Sequence, residues 1–166
     1  MKPADFSKKL FRLMKETGVY LITLTVDTWK KCTEYWTDIE KFIFTAKPLG
    51  LKVAIDLLAG LPYETEEETL KCLNTLRRFQ PDSINVNTYI RLYKKLQITN
   101  IILKDKKLQD NLLGNVNDRT YIKPVFYNHL DTENLSRILQ GDPIFRIEGP
   151  EKGVNYVRLL NSVIAE

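Results

Sequence analysis

Thiols and imidazoles are scarce in this sequence. Cys32 and Cys72 stand forty positions apart, and His129 is the only histidine. Two such distant thiols make no disulfide framework and read as free cysteines. Structural zinc sites need Cys or His ligands in closely spaced pairs, which are missing, so a mononuclear metal site is not expected. No apolar run approaches the ~20 residues that cross a bilayer. The opening residues, MKPADFS, lack the apolar stretch of a signal peptide, so a soluble, cytoplasmic protein without a membrane partner is expected. A dense block of one charge is lacking too: Lys and Arg number 25 against 21 Asp and Glu. The basic clusters at Arg77-Arg78, Lys94-Lys95 and residues 104–107 read as solvated faces, and nucleic acid is not an expected partner.

What is present is enough apolar material for one core: 43% of 166 residues. Three segments share a layout in which a Gly or Pro turn precedes an extended apolar run and an amphipathic helix follows it. Their strands begin near Val19, Leu51 and Ser83, so the starts fall 32 residues apart. That period suits a strand, a crossover helix and two short loops, and predicts parallel βα units.

A first helix is predicted over 5–17, from the spacing of Phe6, Leu10, Leu13 and Met14, with Gly18 as its stop. The run VYLITLTV (19–26) reads as a buried strand. Thr37 and Glu40 have the spacing of a capping box, before a helical face of Ile39, Phe42, Ile43 and Ala46 that Pro48 and Gly50 end. LKVAIDLL (51–58) is a second strand, with Asp56 its one acid. Thr65 and Glu68 form another capping box, ahead of a stripe of Leu70, Leu73, Leu76 and Phe79. A third strand is predicted over 83–90. Beyond Leu92 the period fails: 97–103 reads as a short strand, 112–119 as loop and 125–127 as a short strand. Asp131 is placed to cap a helix ending near Gly141, and 156–164 reads as a last helix.

In parallel βα architectures ligands lie beyond the carboxyl ends of the strands. Those ends carry Asp27-Thr28-Trp29, then residues 59–64 (AGLPYE), then residues 87–91 (NTYIR). Gly60 lets the backbone come close to a ligand, and Pro62 stiffens a turn that brings Glu64 to a helix start. Such a turn can offer main-chain groups to a flat nucleobase. It can equally be loop shaping, with Glu64 favouring the positive helix end.

At this point a resemblance emerges. The run VAIDLLAGLPYETEEET (53–69) resembles the fifth-strand segment of radical S-adenosylmethionine (radical SAM) enzymes, in which an apolar strand leads into Gly-x-Pro, a variable residue and Glu-Thr. LTVDT (24–28) resembles the fourth-strand segment, and Ile90-Arg91-Leu92-Tyr93 the sixth-strand segment of the cobalamin-associated branch. Residues 123–127 (KPVFY) are similar to a segment found after the barrel in that branch. The likeness runs in order over residues 6–127.

It implies an α/β fold: a partial TIM-like (β/α) barrel of about three βα units over 1–96, with an irregular C-terminal extension over 97–166. It also implies descent from an iron-sulfur oxidoreductase that cleaves S-adenosyl-L-methionine at a four-iron, four-sulfur (4Fe-4S) cluster held by Cys-x3-Cys-x2-Cys. By position, Asp27 and Thr28 fall near the ribose or amino group, Gly60, Leu61, Pro62 and Glu64 near adenine, and Arg91 near further adenine contacts. The sequence departs from the family where the chemistry begins. It has no cluster loop, so neither a 4Fe-4S cluster nor cobalamin is expected in this chain and any S-adenosylmethionine binding should be weak. Tyr93-Lys94-Lys95-Leu96 replaces Tyr-Pro-Gly-Thr, and Trp29 replaces a small residue. A subunit or fragment inactive alone is the first expectation; a non-catalytic protein-interaction module is the alternative. Tyr35, Trp36, Phe42 and Phe44 read as packing and surface aromatics, and His129 as a loop residue outside catalysis. Because VYLITLTV would be an unblunted edge strand, a homo-oligomer or an N-terminal half-barrel partner is expected.

Overall fold

A computed structural model of the chain describes residues 3–27, 33–115, 125–127, 132–139 and 141–148. The first helix, α1, spans Lys8–Glu16, starting later than the apolar spacing suggests because the Ser7 hydroxyl accepts from the Leu10 N–H at 3.1 Å. Gly18, at φ 89°, turns the chain into β1, Leu21–Asp27. Helix α2 spans Thr33–Ala46 and closes through a 3-10 turn, Lys47–Leu49, to Gly50. Strand β2, Lys52–Leu58, leads to α3, Glu66–Arg78, and then to β3, Ser83–Asn87. The α3 start has both halves of its capping box, with Thr65 and Glu68 bonding reciprocally.

Four expectations are corrected. Thr37 is not a cap: α2 begins four residues earlier, and the Thr37 hydroxyl donates to the Thr33 carbonyl at 3.1 Å, the back-bonding of a threonine inside a helix. The third strand stops at Asn87, and beyond the buried Thr88 the chain enters a different sheet as β4, Tyr89–Arg91. Residues 97–104 form a helix, α4 (Gln97–Lys104), not a strand. Its β-branched content favours a strand, but Thr99 and Ile102 are buried at helical spacing, and packing overrides propensity. Helix α5 (Lys106–Gln109), strand β5 (Leu112–Leu113), strand β6 (Val125–Tyr127), helix α6 (Thr132–Ile138) and strand β7 (Phe145–Glu148) complete the described elements. Strand β5 falls where loop was expected, and β6 where a strand was. Asp131 and residues 156–164 lie outside the described residues.

The fold is α/β, with a four-stranded parallel sheet in the order β1-β2-β3-β7 and a small antiparallel sheet in the order β4-β6-β5. Register separates the two faces of the parallel sheet. On one lie the rows Leu24, Ile55, Ile84, Phe145 and Val26, Leu57, Val86, Ile147. These join residues of α1, α2, α3 and α6 in the main core. Phe6, Phe11 and Phe42 meet there, Phe11 edge-on to Phe42 at 4.8 Å between ring centres. The opposite face carries Thr23, Ala54, Ser83, then Thr25, Asp56, Asn85, Arg146, then Asp27, Leu58, Asn87. None of these joins the main core, and Leu58 packs instead on a smaller cluster of Leu61, Ile90, Leu92, Ile102 and Phe126. No described helix is long and apolar enough to cross a membrane.

Candidate functional site

Asp27, Leu58 and Asn87 share one row at the carboxyl ends of β1, β2 and β3. From Leu58 the chain turns over that end. The Ala59 N–H donates to the Asn87 carbonyl at 3.0 Å, and Gly60 takes φ 70°. The Glu64 N–H donates to the Leu61 carbonyl at 2.9 Å, closing a turn with Pro62 second and Tyr63 third. Tyr63 is left-handed at φ 67°, where a type II turn favours glycine, at a cost of about 1 kcal/mol or more. Its phenol donates to Asp105 at 2.7 Å and ties the turn to the start of α5.

The Glu64 carboxylate folds back under its own turn: Oε2 accepts from the Leu61 N–H at 2.9 Å, and Oε1 is buried without a partner. Beneath it, at the start of α3, the Thr69 hydroxyl is also buried and unpartnered, and Cys72 is 5% exposed. The Cys72 thiol is pushed up by burial first, then by the charges of Glu64 and Asp27, which makes it inert as a nucleophile. Tyr35, reaching in from α2, has its phenol pushed up to about 12 by burial and the Asp27 carboxylate, against a bond from the Asp27 backbone that lowers it. A main-chain bond that favours phenolate is a donated one, so the Asp27 N–H caps the Tyr35 oxygen. The polar face continues below, where the Asn85 amide donates to Asp56 at 2.7 Å.

Of the residues the sequence points to, Asp27, Gly60, Leu61, Pro62 and Glu64 gather at this one end of the sheet. Arg91 stands on β4 in the second sheet, with its guanidinium 5.5 Å from the Tyr93 ring centre. It reaches the loop indirectly, since its neighbours Ile90 and Leu92 cluster with Leu61. Thr28, Trp29, Cys32 and His129 lie outside the described residues. Sequence reasoning missed Tyr35 and Cys72 as neighbours of the two acids, because their link is through space. It also passed over Asn85, although alternation of Asn85 and Asn87 with Ile84 and Val86 marks one polar strand face.

Three cysteines are needed for the usual iron-sulfur cluster, and this chain has two, one of them the buried Cys72, so the residues present do not fit that group. Among the described residues no group of three His, Cys, Asp or Glu side chains is arranged to hold a metal. A cleft of about 140 Å³ lies elsewhere, lined by Ser136, Leu139, Gly141, Asp142, Phe145 and Ile147. No protein-family model matches this sequence, and comparison with curated proteins gives no match.

Proposed function

We propose that the chain is the later part of a radical SAM (β/α) barrel and contributes the nucleoside side of an S-adenosylmethionine site without the cluster loop. The carrying observation is that the two faces of one parallel sheet differ in kind. Helices meet the aliphatic face, while Thr25, Asp56, Asn85 and Asn87 hold the other, which in a closed barrel would face the interior. Buried parallel sheets ordinarily read as apolar on both sides. The position of Asp27 and of the turn at Gly60 and Glu64 beyond the strand ends supports the same reading. The unpartnered Glu64 Oε1 is an acceptor left for a donor such as an exocyclic amino group.

One observation favours the second reading, a protein-interaction module derived from this fold. The Leu61 N–H, a main-chain donor that a base edge could meet, is already taken by Glu64. Calorimetric titration of S-adenosylmethionine into the chain tests both. A dissociation constant of about 1 mM, equivalent to about 4 kcal/mol, is expected for half a site lacking the cluster. Weakening by Gly60→Trp would mark the turn as the contact. No heat at ten millimolar ligand would remove the nucleoside role and leave the interaction module. Micromolar binding would mean that the chain holds a complete cofactor site.

A further inference from the structure

The parallel sheet ends in β1, which pairs with β2 alone among the described residues. In a parallel ladder, alternate residues turn both main-chain groups toward the same neighbour. Lys52 stands opposite Leu21, and its N–H donates to the Tyr20 carbonyl at 2.8 Å. That sets the alternation: Tyr20, Ile22, Leu24 and Val26 serve β2, whereas Leu21, Thr23, Thr25 and Asp27 point outward. The Asp27 N–H is capped by Tyr35. The outward groups of Thr23 and Thr25 have no partner among the described residues, and both side chains are exposed. No charge, proline or glycine interrupts the strand before Asp27, so none of the usual devices blunts the edge.

We propose that this edge is the interface of a homodimer, with β1 pairing antiparallel to β1 of a second copy about a two-fold axis at Leu24. The occupant is named by the strand itself, whose five central residues read the same in kind in both directions from Leu24: Thr23 mirrors Thr25, and Ile22 mirrors Val26, while the end pair, Leu21 and Asp27, differs. In this register Thr23 faces Thr25 of the second copy as a hydrogen-bonded pair, each supplying the outward N–H and C=O that the other lacks. Leu24 stands opposite Leu24 of the second copy, and Ile22 opposite Val26, at the non-hydrogen-bonded positions, where their side chains are already buried against the helices. The side chains that adjoin across the interface are the exposed threonines of the polar side, a favourable cross-strand pairing. A slip of one residue would set every threonine against an aliphatic, so the two faces of the paired strands stay in phase. The proposal stands without the S-adenosylmethionine reading.

Light scattering and amide exchange by NMR across a concentration series test it on the whole chain. The expected particle rises from 19.4 kDa toward twice that mass. Over the same range the Thr23 and Thr25 amides become slow to exchange, while Leu24 and Val26 are slow throughout. Proline is tolerated on an edge strand where its missing N–H would have faced out. Thr25→Pro should therefore keep the native circular dichroism and raise the dimer dissociation constant at least about tenfold. If Thr25→Pro loses the native spectrum, Thr23→Lys, which blunts the edge from an exposed position, carries the same expectation. A 19.4 kDa particle at every concentration would overturn the proposal and leave the edge to a strand of another polypeptide. So would a dimer whose Thr23 and Thr25 amides exchange freely, because its interface would lie elsewhere.

Discussion

The two faces of the parallel sheet are built from the same strands, alternating residue by residue, yet they do different work. Leu24, Ile55 and Ile84 are fully buried against helices, whereas Thr25 is exposed and Asp56 and Asn85 are half-buried in the adjoining row. A face that packs against helices must be aliphatic because each methylene withdrawn from water contributes about 0.8 kcal/mol. A face that keeps water or a ligand can hold an Asp–Asn pair, provided the pair is satisfied. The difference teaches where stability and chemistry separate in this fold: one neighbour along each strand secures the sheet, and the next is available for function.

That separation is broken most readily on the helical side. Phe42 is fully buried and touches both Phe6 and Phe11. Phe42→Ala should cost about 3–5 kcal/mol in chemical denaturation, combining the lost transfer energy with the cavity left among the rings. If Phe42→Ala cost less than about 1 kcal/mol, the aliphatic face would not be the source of stability.

How much of this was legible in sequence follows from which interactions are local. The α3 capping box lies within four residues, and Thr65 and Glu68 announce it directly. The same signature at Thr37 and Glu40 misleads, because it cannot show that the helix has already begun at Thr33. The segment around Ile98, Ile101 and Ile102 reads as strand by propensity and folds as helix by burial. Strand β7 carries only four residues, too few to stand out until it lies beside β3. At the site, Asp27 and the turn from Gly60 to Glu64 follow from the rule that loops at strand carboxyl ends face one way. The approach of Tyr35 to Asp27, and of Cys72 to Glu64, depends on how α2 and α3 settle on the sheet, which no short motif encodes.

The polar face sharpens the comparison at intermediate size. Asn85→Ala removes the donor that bonds Asp56 at 2.7 Å, in a row that is half-buried. Water can replace part of that bond, so a loss of about 1 kcal/mol is expected, well below the cost at Phe42. Equal losses at the two positions would mean that the polar face is as deeply packed as the aliphatic one.

The smallest effect expected concerns Tyr35, which reaches the outer edge of β1 and caps the Asp27 N–H. Tyr35→Phe keeps the ring and deletes the phenol, so the cost near neutral pH should be about 0.5–1 kcal/mol, that of one hydrogen bond. Its pH dependence is the sharper signature. The folded phenol titrates at about 12, raised from the ordinary 10.0 by burial first and by the Asp27 carboxylate second. Because the folded state holds this proton more tightly than the unfolded state, the contribution is complete below 10.0 and is lost as pH rises from there through about 12. Denaturation of both proteins at about pH 9 and about pH 11.5 should therefore show their stability difference shrinking as pH rises. A difference that stays constant would place the phenol in water and leave the Asp27 end of the edge as open as Thr23 and Thr25.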